Sequence, residues 1–348
     1  MITIKKPLVS LATIGLSAMI WAAPASAEKV MKIAHMNPGG PFESHAGAMV
    51  TVFKSLVEAG TNGSIKVQHF PDGQLGKDNE VIDQVRMGVV QSSISSAGGV
   101  AQHYPPVGVF DLPFAFPNIA TAHDVINLDS DFGKMFAEDM HAKTGLKVIG
   151  LLDSGGFFAL TNSKKEVTTL DDMNGLKIRT MTLPTHETII NSVGGKATPL
   201  PWAEVYTALQ TGVADGQMNP VPTISFAKFE EVQPYMTLTN HIITPYVWMI
   251  NEKFYDGLTP EEQRVVDYAA KAAVDAGRGV SRLIEASDTR GLPYLASKMK
   301  ISTLSEEERQ KFAAATQPAV KKLIEEQYGD EGMKLMQALE SSIEKASN

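Results

Sequence analysis

The chain has 348 residues, 43% of them hydrophobic and 20% charged, a globular balance that excludes wholesale disorder. Its formal net charge is −8, and its lysines and arginines form no cluster, so no nucleic-acid partner is expected. It has no cysteine, which removes thiol catalysis, disulfide frameworks and cysteine-ligated metals.

Lys5 and Lys6 precede an apolar stretch over 8–23, and Pro24-Ala25-Ser26-Ala27 ends in a small-x-small pattern. This reads as a secretory signal peptide over 1–27, cleaved after Ala27, because the apolar run is too short for a comfortable membrane span. The remaining 321 residues carry 29 basic and 39 acidic side chains, a net charge of −10. No later stretch is apolar for the roughly 18 residues that a span requires. An exported periplasmic protein is therefore expected.

Strand-like and helix-like segments then alternate. Residues 30–34 read as a strand and 41–59 as a helix, with apolar residues at helical spacing. A strand over 65–70 ends at the turn signal Pro71-Asp72-Gly73, a helix follows over 78–87, and a short strand over 89–95. This rhythm implies a mostly parallel sheet with helices on its faces. Strands at 146–152, 157–161, 176–180, 197–200 and 213–218, with helices at 184–193 and 202–211, repeat it. Residues 239–250 read as a strand returning to the first sheet. Thr259-Pro260-Glu261-Glu262 is a strong helix start, and its apolar stripe runs to about residue 290. Two further helices are expected over 306–315 and 317–326. The economical architecture is α/β: two lobes joined by crossing strands and a long helix, with a ligand cleft between them.

Catalytic signatures are missing. There is no G-x-S-x-G elbow, no phosphate-binding G-x-x-x-x-G-K-[ST] loop and no G-x-G-x-x-G. His186-Glu187 opens like a zinc-protease helix, but Ile190 stands where the second histidine belongs, and no two of the eight histidines lie closer in sequence than His35 and His45. No metal or cofactor is expected, and the missing signatures shift the weight from catalysis toward binding. Three places remain. Arg179 ends an apolar strand, where its forked guanidinium suits a carboxylate; the competing reading is an edge-strand arginine paired with a surface acid. Asn219 ends another strand before a proline and is either a turn residue or turned into the same cleft. Trp202 starts the intervening helix, as core packing or as a stacking surface.

At these residues the chain resembles the periplasmic solute-binding proteins of tripartite ATP-independent periplasmic (TRAP) transporters, the DctP family. The resemblance covers essentially the whole chain after residue 27. It rests on Phe70-Pro71-Asp72-Gly73-Gln74-Leu75-Gly76, Asp111-Leu112-Pro113-Phe114, Gly175-Leu176-Lys177-Ile178-Arg179, Glu204-Val205-Tyr206-Thr207-Ala208-Leu209-Gln210-Thr211-Gly212 and Ala214-Asp215-Gly216-Gln217-Met218-Asn219-Pro220, in that order. It implies a two-lobed periplasmic-binding-protein fold: lobe I from 28–152 and 240–258, lobe II from 153–239, a long helix over 259–292 spanning both, and C-terminal helices over 293–348. It implies that Arg179 binds the ligand carboxylate, that Asn219 contacts ligand, and that Asn37 and Ser96 line the pocket. It further implies delivery of a small organic acid to TRAP membrane permease subunits by a monomeric receptor.

Sialic-acid-binding members have a second arginine at or beside the place of Phe158. A phenylalanine there argues against sialic acid and against a dicarboxylate held by two arginines. It favours a monocarboxylate with an apolar, aromatic or zwitterionic body, ectoine being the alternative ligand type. Met218-Asn219 stands where 2-oxoacid binders place the acid–tryptophan pair of a cation site, a further reason to expect no metal. The other readings are a secreted α/β enzyme, and a receptor that presents its ligand to a sensor kinase.

Overall fold

The computed structural model describes residues 2–3 and 28–348, so nearly all of the segment read as a signal peptide lies outside the described residues. Two sheets form, and eleven strands are numbered here in chain order. The first sheet holds β1 (Lys29–His35), β2 (Ile65–Phe70), β3 (Ser92–Ser96), β4 (Leu146–Asp153) and β10 (Pro245–Asn251), in the order β2-β1-β3-β10-β4. The second holds β5 (Phe158–Asn162), β6 (Lys177–Thr180), β7 (Lys196–Pro199), β8 (Gly216–Pro220), β9 (Tyr235–Leu238) and β11 (Lys300–Thr303), in the order β11-β9-β5-β8-β6-β7.

Both sheets are mixed rather than mostly parallel. The neighbours β1, β2 and β3 run parallel, but β10 runs against β3 and β4. In the second sheet β5 runs against β8 and β9. The exceptions are the strands that arrive from the other lobe, which enter without a right-handed helical crossover.

The first helix packs where expected, but starts later than read: it spans His45–Gly60, because the Ser44 side chain caps the backbone N–H of Gly47 and leaves 41–43 as a turn. Met49, Val50, Phe53 and Val57 face the first sheet and meet Trp248, whose indole packs edge-on against Phe53. The long helix runs Pro260–Glu285, capped reciprocally by Thr259 and Glu262, and stops short of residue 292. It lies along His45–Gly60, and its C-terminal end reaches the helix Val221–Phe226 of the second lobe. The C-terminal region forms the short helix Leu292–Ala296 and contributes β11 to the second sheet before its long helical segment. The helix expected to break near residue 316 passes through Pro318 and runs Glu306–Ser347, interrupted at Gly329, whose φ of 58° suits a glycine.

Besides the long helix, which leads on to β11, two segments carry the chain between the sheets, 154–157 and 239–244. They lie side by side: Ser154 N–H donates to Thr244 O at 2.9 Å and Phe158 N–H to Ile242 O at 2.9 Å. Gly155 and Gly156 take φ of 118° and 114°, a region closed to ordinary side chains. Arg282 of the long helix donates from Nη2 to the Gly155 carbonyl, tying that helix to the crossing. Beneath it Asp153 is fully buried and accepts from His123 Nε2 at 2.9 Å. Burial raises the Asp153 carboxyl, but His123 and Arg282 outweigh it and hold the group below its ordinary value.

Candidate functional site

The carboxyl-terminal ends of β3, β6 and β8 meet in the cleft, where a cavity of about 60 Å³ lies between the lobes. Arg179, Trp202 and Asn219 line it from the second lobe; Asp78, Ser96 and Tyr246 line it from the first.

Arg179 sits one residue before the end of β6 and is 3% exposed. Its Nε and Nη2 donate to the Leu200 carbonyl at 3.0 and 2.6 Å. This fixes the plane of the guanidinium and leaves Nη1 free of protein hydrogen bonds among the described residues. Among those residues it has no carboxylate partner. Burial therefore pulls its pKa down to about 9, with only Tyr246 acting in the other sense. A buried cation without a counter-ion is costly and creates a strong preference for an anion beside it.

Asn219, on β8, is 5% exposed, and its Nδ2 donates to Gln217 Oε1 at 2.6 Å. Gln217 donates in turn to Thr161 Oγ1 at 2.9 Å, and Thr161 to Gln233 Oε1 at 3.1 Å. This buried relay holds the amide in one orientation at the cavity wall. Trp202 is half-buried, its ring 6.0 Å from Phe226 and 5.8 Å from Phe229, and lines the cavity as it packs on them.

Across the cavity, Asp78 opens the helix Asp78–Met87, and its Oδ2 accepts from Ser96 Oγ at 2.8 Å. Burial pushes its pKa up to about 6 in spite of hydrogen bonds from Ser96 and Ser95. Tyr246, on β10, lies between the two poles. Burial and Asp78 raise its phenol, while Asn37 and Arg179 pull it back. The cavity thus has a cationic end at Arg179 and an acidic end at Asp78.

The sequence of residues 40–327 matches the family described as bacterial extracellular solute-binding protein, family 7 (DctP). The chain belongs to the DctP family. Members are periplasmic TRAP solute-binding receptors, transport proteins rather than enzymes. This DctP protein is 33% identical over 263 residues to the 2,3-diketo-L-gulonate-binding periplasmic protein of Escherichia coli, covering 76% of this chain and 78% of that one. It is 28% identical over 292 residues to the ectoine-binding periplasmic protein of Halomonas elongata, covering 84% of each. It superposes on the sugar acid binding protein of Advenella mimigardefordensis in complex with galactonate, with a TM-score of 0.82, 32% identity and coverage of 92% and 99%. Both lobes of this DctP chain are therefore the two lobes of that fold.

The residues expected at the site divide. Arg179, Asn219, Trp202 and Ser96 come together around the cavity. Asn37 does not line it; it is 1% exposed, its backbone N–H donates to His35 Nδ1 at 3.2 Å, and its Oδ1 has no hydrogen-bond partner among the described residues. Phe158 is a correction. It is fully buried on the opposite face of the second sheet, edge-on to His186 and His241. Strand parity explains this: Ala159, not Phe158, pairs with Asn219, and Phe158 pairs with Pro220, so the phenyl ring faces away from the Asn219 side. Asp78 and Tyr246 were missed. The first reads as an ordinary acidic first-turn residue and the second as one member of an apolar strand. The histidines, widely spaced in sequence, also meet: His35 Nε2 lies 2.7 Å from His69 Nε2 across β1 and β2. Among the described residues no three His, Asp or Glu side chains are placed to hold a metal, and no helix is long and apolar enough to cross a membrane.

Proposed function

We propose that this receptor captures a small monocarboxylate bearing hydroxyl groups, closes over it, and delivers it to TRAP permease subunits. The carboxylate pairs with Arg179, Asn219 hydrogen-bonds beside it, Trp202 covers the carbon skeleton, and hydroxyls donate to Asp78. The observation that carries this reading is the buried, unpaired Arg179 guanidinium, held in plane by Leu200 at one end of an enclosed cavity. Each charge-assisted hydrogen bond to it contributes roughly 1.5–3 kcal/mol. The hydroxyl-bearing acids bound by the Escherichia coli and Advenella relatives support the class.

A zwitterion such as ectoine is the second reading, favoured by Asp78, which suits a cationic group. Phe158, outside the cavity, no longer supports it. A thermal-shift panel of galactonate, 2,3-diketo-L-gulonate and ectoine separates the two, because a compound that binds only the folded chain raises its melting temperature. Calorimetry with the acid that shifts most, on wild type and Arg179→Ala, tests the pairing. A response to ectoine alone overturns the hydroxy-acid reading, and unchanged affinity in Arg179→Ala overturns the carboxylate site.

A further inference from the structure

We infer that closure of this receptor is set by a seam at the cavity rim, made of the Lys77–Glu204 ion pair and the seat at Gly98. The inference rests on reading the cleft as the binding site. Lys77 precedes the helix Asp78–Met87 of the first lobe, and Glu204 ends the short turn Trp202–Glu204 of the second. Their charged ends meet across the mouth of the cavity, Lys77 Nζ to Glu204 Oε1 at 3.2 Å, with 47% and 49% of each side chain exposed. Beside them the lobes touch through backbone. Thr182 Oγ1, in the second lobe, donates to the Gly98 carbonyl of the first at 3.2 Å. A Cβ added to Gly98 would lie 2.8 Å from Met181 Cβ and 3.1 Å from its sulfur. A methyl group there holds the lobes apart, so only glycine lets the second lobe seat.

The two parts act differently. The ion pair joins elements that separate when the lobes open, so its energy belongs to the closed form alone. Being half-exposed, it is modest and screened by salt. The glycine is a steric stop that salt does not touch. Neither residue belongs to the cationic or acidic pole of the cavity that selects the ligand.

The chain has no cysteine, so Ser55→Cys and Thr211→Cys, both exposed and one in each lobe, accept a spin-label pair without background. Dipolar distances are recorded without addition and with saturating galactonate, 2,3-diketo-L-gulonate or ectoine, whichever shifts wild-type melting. Glu204→Lys, which sets two cations face to face, is expected to deplete the closed distance. It should also weaken binding about fivefold at low salt and less than twofold at high salt. The exchange Lys77→Glu with Glu204→Lys restores both. Gly98→Ala depletes the closed distance at every salt concentration. Thermal unfolding confirms that each variant is folded, and Gly98→Ser repeats the steric test should the alanine variant not be. Wild-type distances and affinity in Glu204→Lys at low salt overturn the latch, and a closed distance retained in folded Gly98→Ala overturns the seat. A wild-type chain that shows no closed distance under any condition overturns both. Failure of all three compounds to bind overturns the ligand reading instead, and leaves the unliganded distances to decide the seam.

Discussion

The two lobes build their halves of the cavity in different ways. The second lobe supplies side chains from strand ends, Arg179 on β6 and Asn219 on β8, each oriented by a hydrogen-bond partner. The first supplies a helix start and close backbone: Asp78, Ser96 and the Gly98 carbonyl. A strand edge fixes a charge in place, whereas two helix starts, at Asp78 and after Ser96, bring an acid and a wall. The cationic pole therefore belongs to one lobe and the acidic pole to the other.

The sharpest way to break this contrast is at Arg179. Arg179→Ala should weaken binding by about 3 kcal/mol or more, at least a hundredfold, because it leaves a carboxylate in a dry cavity without its partner. Arg179→Lys should recover little, since an ammonium lacks the planar fork. Titration calorimetry reads both, and affinity within threefold of wild type in Arg179→Ala would remove the anchor from the second lobe.

Acid should act on the first lobe and the crossing segments. Burial holds His35, His45 and His241 neutral, with pKa values lowered to about 3, 4 and 3. The unfolded chain binds these protons from about pH 6.5 downward, so the stability is complete above that value and is lost as the pH falls toward 4 and 3. Asp78 runs the other way. Its raised pKa makes the folded chain hold a proton more tightly, which adds stability at low pH that is lost as the pH rises through 3.8 to about 6. Urea midpoints across this window should fall steeply with acid, and a flat profile would mean that these imidazoles are solvated.

Asp78→Asn sharpens the contrast from the acidic side. It should weaken binding about tenfold by removing a charged acceptor. It should also stabilise the protein at neutral pH by on the order of 2 kcal/mol, since a buried charge is gone. Opposite signs in calorimetry and in urea denaturation mark a binding residue; a loss in both would make Asp78 structural. Phe158→Leu should do the reverse: about 1 kcal/mol of stability lost and binding within twofold of wild type. The smallest effect is optical. Trp248 is buried in the first-lobe core, its indole N–H donating to Ser92 Oγ at 2.8 Å, so ligand-induced fluorescence change should come from Trp202 and largely vanish in Trp202→Phe.

The same contrast governs what was readable beforehand. Arg179 and Asn219 stand at the ends of short strands inside recognisable segments, and their places followed from those segments. Phe158 was misplaced because a shift of one residue along a strand moves a side chain to the other face, and neighbouring sequence does not reveal that register. Asp78 has the ordinary composition of a helix start, and only the partner lobe makes it part of a cavity. Tyr246 was hidden within an apolar run, and the His35–His69 contact depends on pairing between β1 and β2. The strands of the first sheet, four of the six in the second and the helices His45–Gly60, Asp78–Met87 and Pro260–Glu285 were legible from periodicity and caps; β9, β11 and the helices between residues 97 and 144 were not. The strand directions were not, because β10 and β5 enter from the opposite lobe.

That entry has a consequence for synthesis. β10, residues 245–251, lies between β3 and β4, which it joins from more than ninety residues further along the chain. Until it is made, β4 has no neighbour to pair with, and the β2-β1-β3 group keeps an open edge at β3. The second sheet likewise waits for β11, residues 300–303, and contacts this distant in sequence form slowly. Most of the chain is thus made before either sheet can be completed.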